Sequence, residues 1–371
     1  MQSLRKDKNY YKEKKGFAIA IVLLVTTLVI VLALEFNYEM RVEASITMNS
    51  LDSLRAYYLA KSGIEAGIFI IRMDYKNDVK NKQFVDHLGE IWNIPSVSIP
   101  LGEGSIKGSI SDESGKVNLN SFVVETAGNK KKGAKGESKS QQKINVVRRI
   151  IENFPVKPEE SPQEIIHALT EWKGELFEDD EALEAYYANL KDSYESKWDF
   201  FDDMSELLLV KGITKEFYFQ ERKKTIENVG KSTPNNKKRN PHYTLEDVFT
   251  VYSYDPENND YKININTAPK PVLRALHSQM DESAVEAIIS RQQSGEPFKN
   301  VAEVGKIDEL KPVFQDEKDG LKGIRNLIDV KSYFFKIVAT GTYGDISKTI
   351  EAVVYRNPSN GSINIKSWAV Y

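Results

Sequence analysis

The chain has 371 residues, no cysteine, a formal net charge of −3 and a mean hydropathy of −0.46. The absence of cysteine excludes disulfides, thiolate metal sites and thiol nucleophiles, and the near-neutral charge gives no global basic surface for nucleic acid. The four histidines include no HxxxH or HxH pair, so the sequence does not predict a zinc enzyme.

The first predicted element is an apolar helix that can cross a membrane. The run Phe17–Leu34 has neither charge nor proline. At about 1.5 Å per residue, a helix of this length covers most of a hydrocarbon core roughly 30 Å thick. Residues 1–16 carry six Lys/Arg against two acids, which favours a cytoplasmic N-terminus and a translocated remainder. A cleaved secretory signal fits less well, because its apolar region is usually shorter and no A-x-A site follows Leu34. An uncleaved anchor remains the plain alternative.

The helix is predicted to continue beyond the apolar run as an amphipathic rod. Proline is absent to about Met73, and apolar residues recur at three- and four-residue spacing, which places a stripe on one face. The stripe consists of Met40, Ala44, Met48, Leu51, Leu54, Tyr58 and Leu59. It needs a partner, which is the C-terminal region of the chain, a neighbouring subunit, or both.

The start of the chain resembles a type IV prepilin or pseudopilin. A basic leader ends in Gly16, Phe17 follows, and an apolar run leads into the amphipathic continuation. The resemblance implies that a prepilin peptidase cuts after Gly16 on the cytoplasmic side and that Phe17 becomes N-methylated. Glycine suits this place, because a residue without a side chain lets extended backbone enter a tight active site.

The fifth position of the implied mature chain departs from the usual family pattern. Most members carry a glutamate there, which pairs with a neighbour's N-terminal ammonium during assembly, whereas this chain has Ile21. A carboxylate in lipid is costly unless it is paired, so its absence suits a subunit with no partner above it. Within the family, this absence marks the K-type minor pseudopilin of type II secretion, which is thought to cap the tip.

Two segments of the soluble part are predicted to form β-hairpins. Gly104–Phe122 alternates small or apolar with polar residues around a turn at Ser114–Gly115. Near the C-terminus, Tyr333–Arg356 alternates on both sides of Tyr343–Gly344.

A pattern of strand, turn and helices occurs twice at low identity. "GKVNLNSF" is echoed by "YKININTA", "NVVRRIIENF" by "KPVLRALHSQM", and "PQEIIHALTEWKGE" by "AVEAIISRQQSGEPF". The repetition predicts a mainly helical region with internal duplication. Residues 125–143 and 230–242 are polar and low in apolar content, and they are predicted to be disordered loops.

The duplicated unit resembles a helix-hairpin-helix or SAM-like fold, which makes DNA binding the rival function. Hairpins that bind DNA present backbone N–H groups to phosphate through a glycine-rich turn. The corresponding turns read "FPVKPEESP" and "HSQMDES", which contain no glycine and are acidic, and acidic turns repel phosphate. The helices are therefore predicted to be scaffold, without nucleic acid as a partner.

The layout of the whole chain resembles a K-type pseudopilin and implies an α+β fold. A pilin-like long helix and a small antiparallel sheet are interrupted by a large, mainly helical, duplicated insertion. The predicted boundaries are 1–16 for the leader, 17–38 and 39–73 for the membrane and periplasmic halves of the helix, 74–122 for the first pilin-like part, 123–260 for the helical insertion, 261–328 for the second SAM-like unit, and 329–371 for the last hairpin and tail.

No catalytic site is predicted. The sequence contains no phosphate loop, no H-E-x-x-H and no G-x-S-x-G motif. Gly63 and Gly67 are predicted to be close-packing points on the rod.

The resemblance implies calcium in the helical insertion, with oxygen ligands as that ion prefers. The segment Glu171–Tyr187 keeps Trp172, Glu184 and Tyr187 of the family pattern. Lys173–Gly174 displaces its first acid, and Ala182–Leu183 replaces its Gly-Ala pair. The residues that would bind the metal therefore stay unknown.

The predicted function is structural: a minor pseudopilin of the type II secretion system that caps the pseudopilus tip. Its assembly residues are Ile21, Leu51, Leu54 and Tyr58. Its predicted partners are the I- and J-type minor pseudopilins, prepilin peptidase and the inner membrane, which it crosses once with its bulk in the periplasm. The alternative is a membrane-anchored periplasmic protein whose helix-hairpin-helix-like domain binds DNA or a protein partner.

Overall fold

The fold is that of a computed structural model, which describes residues 3–93, 96, 98–121, 139–174, 181–220, 243–252, 261–315 and 323–371. The α-helices are α1 (Ser3–Asn81), α2 (Lys139–Asn153), α3 (Pro162–Trp172), α4 (Glu181–Ala188), α5 (Lys215–Tyr218), α6 (Leu245–Val248), α7 (Lys270–Ala275), α8 (Glu282–Ser294), α9 (Val301–Val304) and α10 (Lys311–Phe314). The strands are β1 (Ser98–Leu101), β2 (Gly104–Asp112), β3 (Val117–Asn118), β4 (Phe249–Thr250), β5 (Ile263–Asn264), β6 (Ile328–Asp329), β7 (Phe334–Tyr343), β8 (Ile346–Arg356) and β9 (Ile363–Val370).

The rod is one continuous helix, α1, of 79 residues. It runs past the predicted end at Met73 to Asn81, so that boundary was wrong. The last two turns lack an apolar pattern, but they contain no proline or glycine, and Lys80 in the final turn suits the negative end of the helix dipole. The helix ends where Lys82 adopts a φ of 55°, a left-handed conformation common just after a helix.

A five-stranded antiparallel sheet in the order β1-β2-β7-β8-β9 packs against the rod. The predicted C-terminal hairpin is confirmed, since β7 pairs with β8 from Phe334↔Tyr355 to Tyr343↔Ile346. Its turn contains Gly344 at a φ of 56°. The mixed α+β class predicted from the sequence is therefore confirmed.

The predicted hairpin around Ser114–Gly115 was wrong. Strand β2 instead turns back onto β1 through Gly102, with Leu101 opposite Gly104, and its other edge pairs with β7. After β2 the chain leaves the sheet, and β3 pairs in parallel with β4. The alternating residues on either side of Ser114 are two strands of two different sheets, which a local pattern cannot separate.

The rod lies close to the sheet because two of its residues that face the sheet are glycines. A Cβ added at Gly63 would lie 2.7 Å from the Cβ of Ala339, and one added at Gly67 would lie 2.7 Å from Cγ2 of Ile337. Both glycines are thus close-packing points, as predicted. The core between the layers contains Ala60, Ile64, Ile68, Ile71, Ile110, Phe335, Ile337, Ile350 and Val354.

The internal duplication is confirmed down to its hydrogen bonds. In the first copy, Asn120 and Phe201 are joined by two bonds, one from the Asn120 amide to the Phe201 carbonyl and one from the Phe201 N–H to Asn120. In the second copy, Asn266 and Phe298 are joined in the same two ways. Each buried asparagine ties the strand end of its copy to a distant loop, so the repeat is a repeat of structure.

One of the two loop predictions overlaps a helix. Helix α2 begins at Lys139, so residues 139–143 are helical, and the prediction of disorder was wrong for them. Residues 125–138 and the second predicted loop, 230–242, lie outside the described residues.

Candidate assembly surface and charged junction

An apolar groove lies between the rod and the edge of the sheet. It has a volume of about 520 Å³, and Leu51, Leu54 and Tyr58 of α1 line it together with Leu101 of β1 and Tyr343 of β7. The three rod residues are 49, 51 and 57% exposed. The opposite face of the same turns packs on the sheet, with Ala60 fully buried. These five residues define the rod groove, an apolar surface without an intramolecular cover among the described residues.

Polar contacts hold the rim of the rod groove in place. Arg55 donates to Asp52 at 2.9 Å, and its guanidinium carbon lies 4.7 Å from the centre of the Tyr343 ring. The Tyr343 hydroxyl donates to Glu103, and this bond raises the pKa of Tyr343. Exposed pairs of this kind add little stability. Their effect is to fix the orientation of the ring that forms one wall.

Three of the four predicted assembly residues come together in the rod groove, and the fourth does not. Leu51, Leu54 and Tyr58 share the groove. Ile21 lies thirty residues earlier on the same helix, which is roughly 45 Å away at the rise of an α-helix. The predicted processing residues, Gly16 and Phe17, lie still nearer the start of α1.

The sequence did not predict that the edge of the sheet forms part of the rod groove. Ile99 and Leu101 of β1 are exposed beside the stripe, and Glu103 and Tyr343 complete the rim. The segment "SIPLGEG" carries the signal of an edge strand and turn, because proline is tolerated on an edge strand and glycine allows a tight turn. The proline interrupts the alternation of apolar and polar residues, so this segment was not predicted to be a strand.

One helix among the described residues, Phe17–Asn81, is long and apolar enough to cross a membrane. Its large apolar side chains from Phe17 to Leu34 are exposed, as lipid-facing side chains are. The length and composition of the N-terminal helix therefore fit a membrane anchor.

A buried group of charges lies where the rod ends and the chain enters the sheet. We call it the junction cluster, and it consists of Asp74, Asp78, Asp86, Glu90 and Arg356. Arg356 donates to Asp74 at 2.8 Å and to Asp86, and it also donates to the Ser332 carbonyl at 2.9 Å. The guanidinium thus joins α1, the loop after it and strand β8.

The acids of the junction cluster hold their protons more tightly than free carboxyl groups. Burial, with neighbouring acids adding to it, raises the pKa of Asp74 to about 6 and that of Asp78 to about 7, and Arg356 opposes the rise. Burial and the charges of Asp86 and Asp74 raise the pKa of Glu90 to about 9. One guanidinium does not offset four carboxylates in a site of low dielectric constant.

The segment that resembles a calcium site is described only in part. Residues 175–180 lie outside the described residues, Glu171 is buried, and Glu184 is exposed. Trp172 donates to Glu206 at 3.3 Å. Among the described residues, the carboxylates close enough to hold a metal ion lie in the junction cluster instead. Calcium in the helical insertion stays a prediction.

A pocket of about 550 Å³ between α2 and α7 bears on the DNA-binding alternative, because Arg148, Arg149 and Arg274 line it. Arg149 donates to the carbonyl oxygen of Ala275 at 2.6 Å, and Arg274 lies 3.6 Å from a carboxylate oxygen of Glu282. Two of the three guanidinium groups therefore join helices within the chain. The absence of a nucleic-acid partner stays a prediction.

Two models of one family match the chain. Both are described as type II secretion system (T2SS), protein K, and they match residues 115–223 and 263–322. The first matched stretch begins two residues before β3, and the second begins at the first residue of β5. Each therefore falls on one copy of the duplicated helical unit.

The chain is also similar to proteins and to a solved structure over most of its length. Type II secretion system protein K of Aeromonas hydrophila is 21% identical over 365 residues, which cover 96% of this chain and 97% of that protein. Its counterpart in Pseudomonas aeruginosa is 26% identical over 285 residues, covering 74% and 72%. A chain of the crystal structure of the GspK-GspI-GspJ complex from enterotoxigenic Escherichia coli has the same fold, with a TM-score of 0.63 at 18% identity, over 88% of this chain and 99% of that chain.

Proposed function

The chain belongs to the family of type II secretion system protein K, and from this premise we propose that it is a minor pseudopilin, a structural subunit that acts in protein secretion across the outer membrane. The family is not known for enzymatic activity. The chain's inventory of motifs supports a non-enzymatic role, since it contains no nucleophile elbow, phosphate loop or paired histidines.

The rod groove is the observation that carries this function. A helix that is buried on one face and apolar on its exposed face needs a second partner, because exposed apolar stripes of this kind mark interaction surfaces. The groove continues onto the exposed edge strand β1, whose unpaired backbone groups add a place for strand or helix contact.

The partners that fit are the I- and J-type minor pseudopilins. The similar solved structure is a complex named for GspK, GspI and GspJ. A pseudopilin of either type presents an apolar helix, and such a helix fills the rod groove by helix-to-helix packing. The anchor places the N-terminus in the cytoplasm and the head in the periplasm, as the leader charge indicates.

We further propose that the subunit caps the tip of the pseudopilus. Ile21 supplies no carboxylate for the terminal ammonium of a neighbour above it, so the fibre does not extend past it. The helical insertion is also bulky, and repeating it at the small axial steps of a shaft would cause clashes. At the end of a fibre it meets no such neighbour.

The processing site is tested by mass spectrometry of the chain extracted from membranes that contain prepilin peptidase. The N-terminal peptide is expected to begin at N-methylated Phe17, because the leader resembles a peptidase substrate. A Gly16→Leu variant is expected to keep its leader, since a branched side chain blocks entry of the backbone. A wild-type chain that still begins at Met1 would instead be a plain anchor.

The assembly role is tested by site-specific crosslinking, which the absence of native cysteine makes clean. Tyr58→Cys places one thiol in the rod groove. Together with cysteine-bearing I- and J-type pseudopilins, it is expected to give heterodimers that include most of the variant chain.

Lys299→Cys is the matched control, because Lys299 is exposed in the second helical copy, away from the rod. It is expected to give only background crosslinks. A shaft subunit would crosslink to its own copies through Tyr58→Cys, and such self-contacts would contradict the tip. The absence of any Tyr58→Cys product would contradict the pseudopilin contact itself.

A further inference from the structure

The pocket between α2 and α7 is a surface feature that the proposed function does not use. We call it the arginine pocket, because Arg148, Arg149 and Arg274 line its volume of about 550 Å³. Among the described residues that line it, Glu152 alone is acidic. The chain as a whole has a net charge of −3, so this surplus of positive charge is a local property of the pocket.

The internal duplication places the arginine pocket at the seam between the two copies. In α2 of the first copy, a pair of buried apolar residues, 146–147, precedes Arg148. In α7 of the second copy, a buried apolar pair, 272–273, precedes Arg274 in the same way. The two helices pack against each other, so the equivalent arginines of both copies line one pocket. Ligand sites commonly lie between two such units, where side chains from both converge.

Arg149 fixes the wall of the pocket. It donates from Nε to the carbonyl oxygen of Ala275 at 2.6 Å and from Nη2 to that of Leu276 at 3.1 Å. These two carbonyl groups lie at the C-terminal end of α7, which has no intrahelical donors for them. The guanidinium therefore joins the two copies through neutral acceptors, and no carboxylate offsets its charge in these two bonds.

Arg148 has a buried donor without an acceptor. Its Nε is buried, and no hydrogen-bond partner for it occurs within the part of the chain that the structure describes. Glu152 lies one turn later in α2 and is exposed to solvent. Arginine stays charged, so the group cannot escape burial by losing its proton. A buried donor normally has a partner, and leaving it without one costs free energy. Arg148 therefore indicates a ligand that brings its own acceptor.

Arg274 supplies a second guanidinium at the rim of the pocket. Its side chain is 44% exposed and lies 3.6 Å from a carboxylate oxygen of Glu282. Glu282 is bonded more closely to Lys270, at 2.5 Å. An exposed ion pair at the longer distance contributes little, so a ligand that enters the pocket can replace it.

Carboxylates of a peptide fit this arrangement better than the phosphates of a nucleic acid. A guanidinium forms two parallel N–H···O bonds with one carboxylate, and the pocket has one such group buried and one at the rim. The turns after α2 and α7 read "FPVKPEESP" and "HSQMDES", and their acids repel a long run of phosphates. One or two carboxylates, by contrast, can enter between the turns and reach the arginines.

We propose that the arginine pocket binds an acidic segment of a partner protein. Arg148 holds one carboxylate inside the pocket, and Arg274 holds a second at its rim. The site lies between the two helical copies and shares no residue with the rod groove. It therefore does not depend on the pseudopilin contact or on the tip assignment.

Fluorescence anisotropy of a labelled peptide tests the site. The full chain in detergent is titrated into a fluorescein-labelled hexapeptide of alternating glutamate and aspartate, and into the same peptide with glutamine and asparagine instead. The acidic peptide is expected to bind about tenfold more tightly or better, because its carboxylates carry the recognition. Arg148→Met is expected to weaken its binding about tenfold or more, and Arg148→Lys to recover part of the loss, since lysine keeps the charge but not the planar fork.

Arg72→Met is the matched control, because Arg72 is an exposed arginine on the rod. It is expected to leave the affinity for the acidic peptide unchanged. Equal affinities of the wild type and Arg148→Met, or equal binding of the acidic and neutral peptides, would overturn the proposal. A thymidine hexanucleotide is added as a competitor, and displacement of the acidic peptide at an equal or lower concentration would assign the pocket to nucleic acid instead.

Thermal unfolding without peptide separates a lost ligand site from a lost structural bond. Methionine keeps the apolar stem of Arg148 and removes a buried donor that has no acceptor, so the midpoint of Arg148→Met is expected to equal or exceed that of the wild type. A midpoint lower by more than about 5 °C would show that Arg148 stabilises the chain itself, and it would overturn the proposal.

Discussion

Replacing Gly341 with alanine is expected to destabilise the head by about 3 kcal/mol, at the upper end of the cost of overpacking. Gly341 lies in β7 directly under the rod. A Cβ there would overlap the carbonyl oxygen of Ala56 and the N–H of Ala60, and it would lie 2.7 Å from the Cβ of Leu59. The first two are backbone atoms of a helix, which cannot rotate away. The rod would have to lift off the sheet and open the core beneath it.

Thermal unfolding of the head, followed by circular dichroism, measures this effect. A loss of about 3 kcal/mol corresponds to a midpoint lower by roughly 6–12 °C in a unit of this size. Gly108→Ala in β2 is the matched control, since its added Cβ meets only the Val338 carbonyl oxygen, at 3.5 Å. It is expected to be neutral or slightly stabilising, because alanine costs less backbone entropy than glycine in a strand. Equal midpoints for the two variants would contradict the close approach of rod and sheet.

The features that could be predicted from the sequence are those that depend on residues close together in the chain. The apolar run and the stripe at three- and four-residue spacing predicted the rod, and the alternation around Tyr343–Gly344 predicted the β7–β8 hairpin. The duplicated asparagines were visible as "VNLN" and "ININ". Their roles were not, because the bonds from Asn120 to Phe201 and from Asn266 to Phe298 close loops of different lengths.

The features that escaped prediction depend on residues far apart in the chain. Strand β2 pairs with β1, which is near in the chain, and with β7, which is far away. The proline in β1 interrupts the alternating pattern that would have predicted the first pairing. The junction cluster joins Arg356 to Asp74 across 282 positions. In the sequence, Asp74 and Asp78 resemble ordinary exposed acids at the end of a helix. Only the packed fold reveals that both are buried and that Asp74 shares one guanidinium with Asp86.

Only one wall of the rod groove could be predicted from the sequence. The stripe placed Leu51, Leu54 and Tyr58 on one helix face, because helical periodicity is local. All three are exposed, and their role in assembly stays a prediction. The stripe left open whether the chain's own sheet would cover them. The sheet covers the neighbouring face at Ala60 and leaves Leu51, Leu54 and Tyr58 exposed. It adds Leu101 and Tyr343 as a second wall.

Replacing Arg356 with methionine is expected to be the most destabilising change of a single charged residue, at about 3–5 kcal/mol. Methionine fills similar volume and keeps contact with the Phe335 ring, which lies 4.9 Å from the guanidinium carbon. The charge is what is lost. Asp74 and Asp86 would remain buried without their shared donor, and an uncompensated buried carboxylate is costly. The midpoint of thermal unfolding is expected to fall by about 10 °C or more.

Two further variants separate the charge effect from a packing defect. Lys348→Met, on the same strand but partly exposed, is expected to change the midpoint by less than about 2 °C, because surface charges contribute little. Adding Asp74→Asn to Arg356→Met is expected to recover part of the lost stability, since it removes one of the two stranded carboxylates. If the double variant is no more stable than Arg356→Met alone, repulsion between unpaired carboxylates is not the cause. The junction would then depend on the shape of the arginine side chain and its bond to the Ser332 carbonyl rather than on its charge.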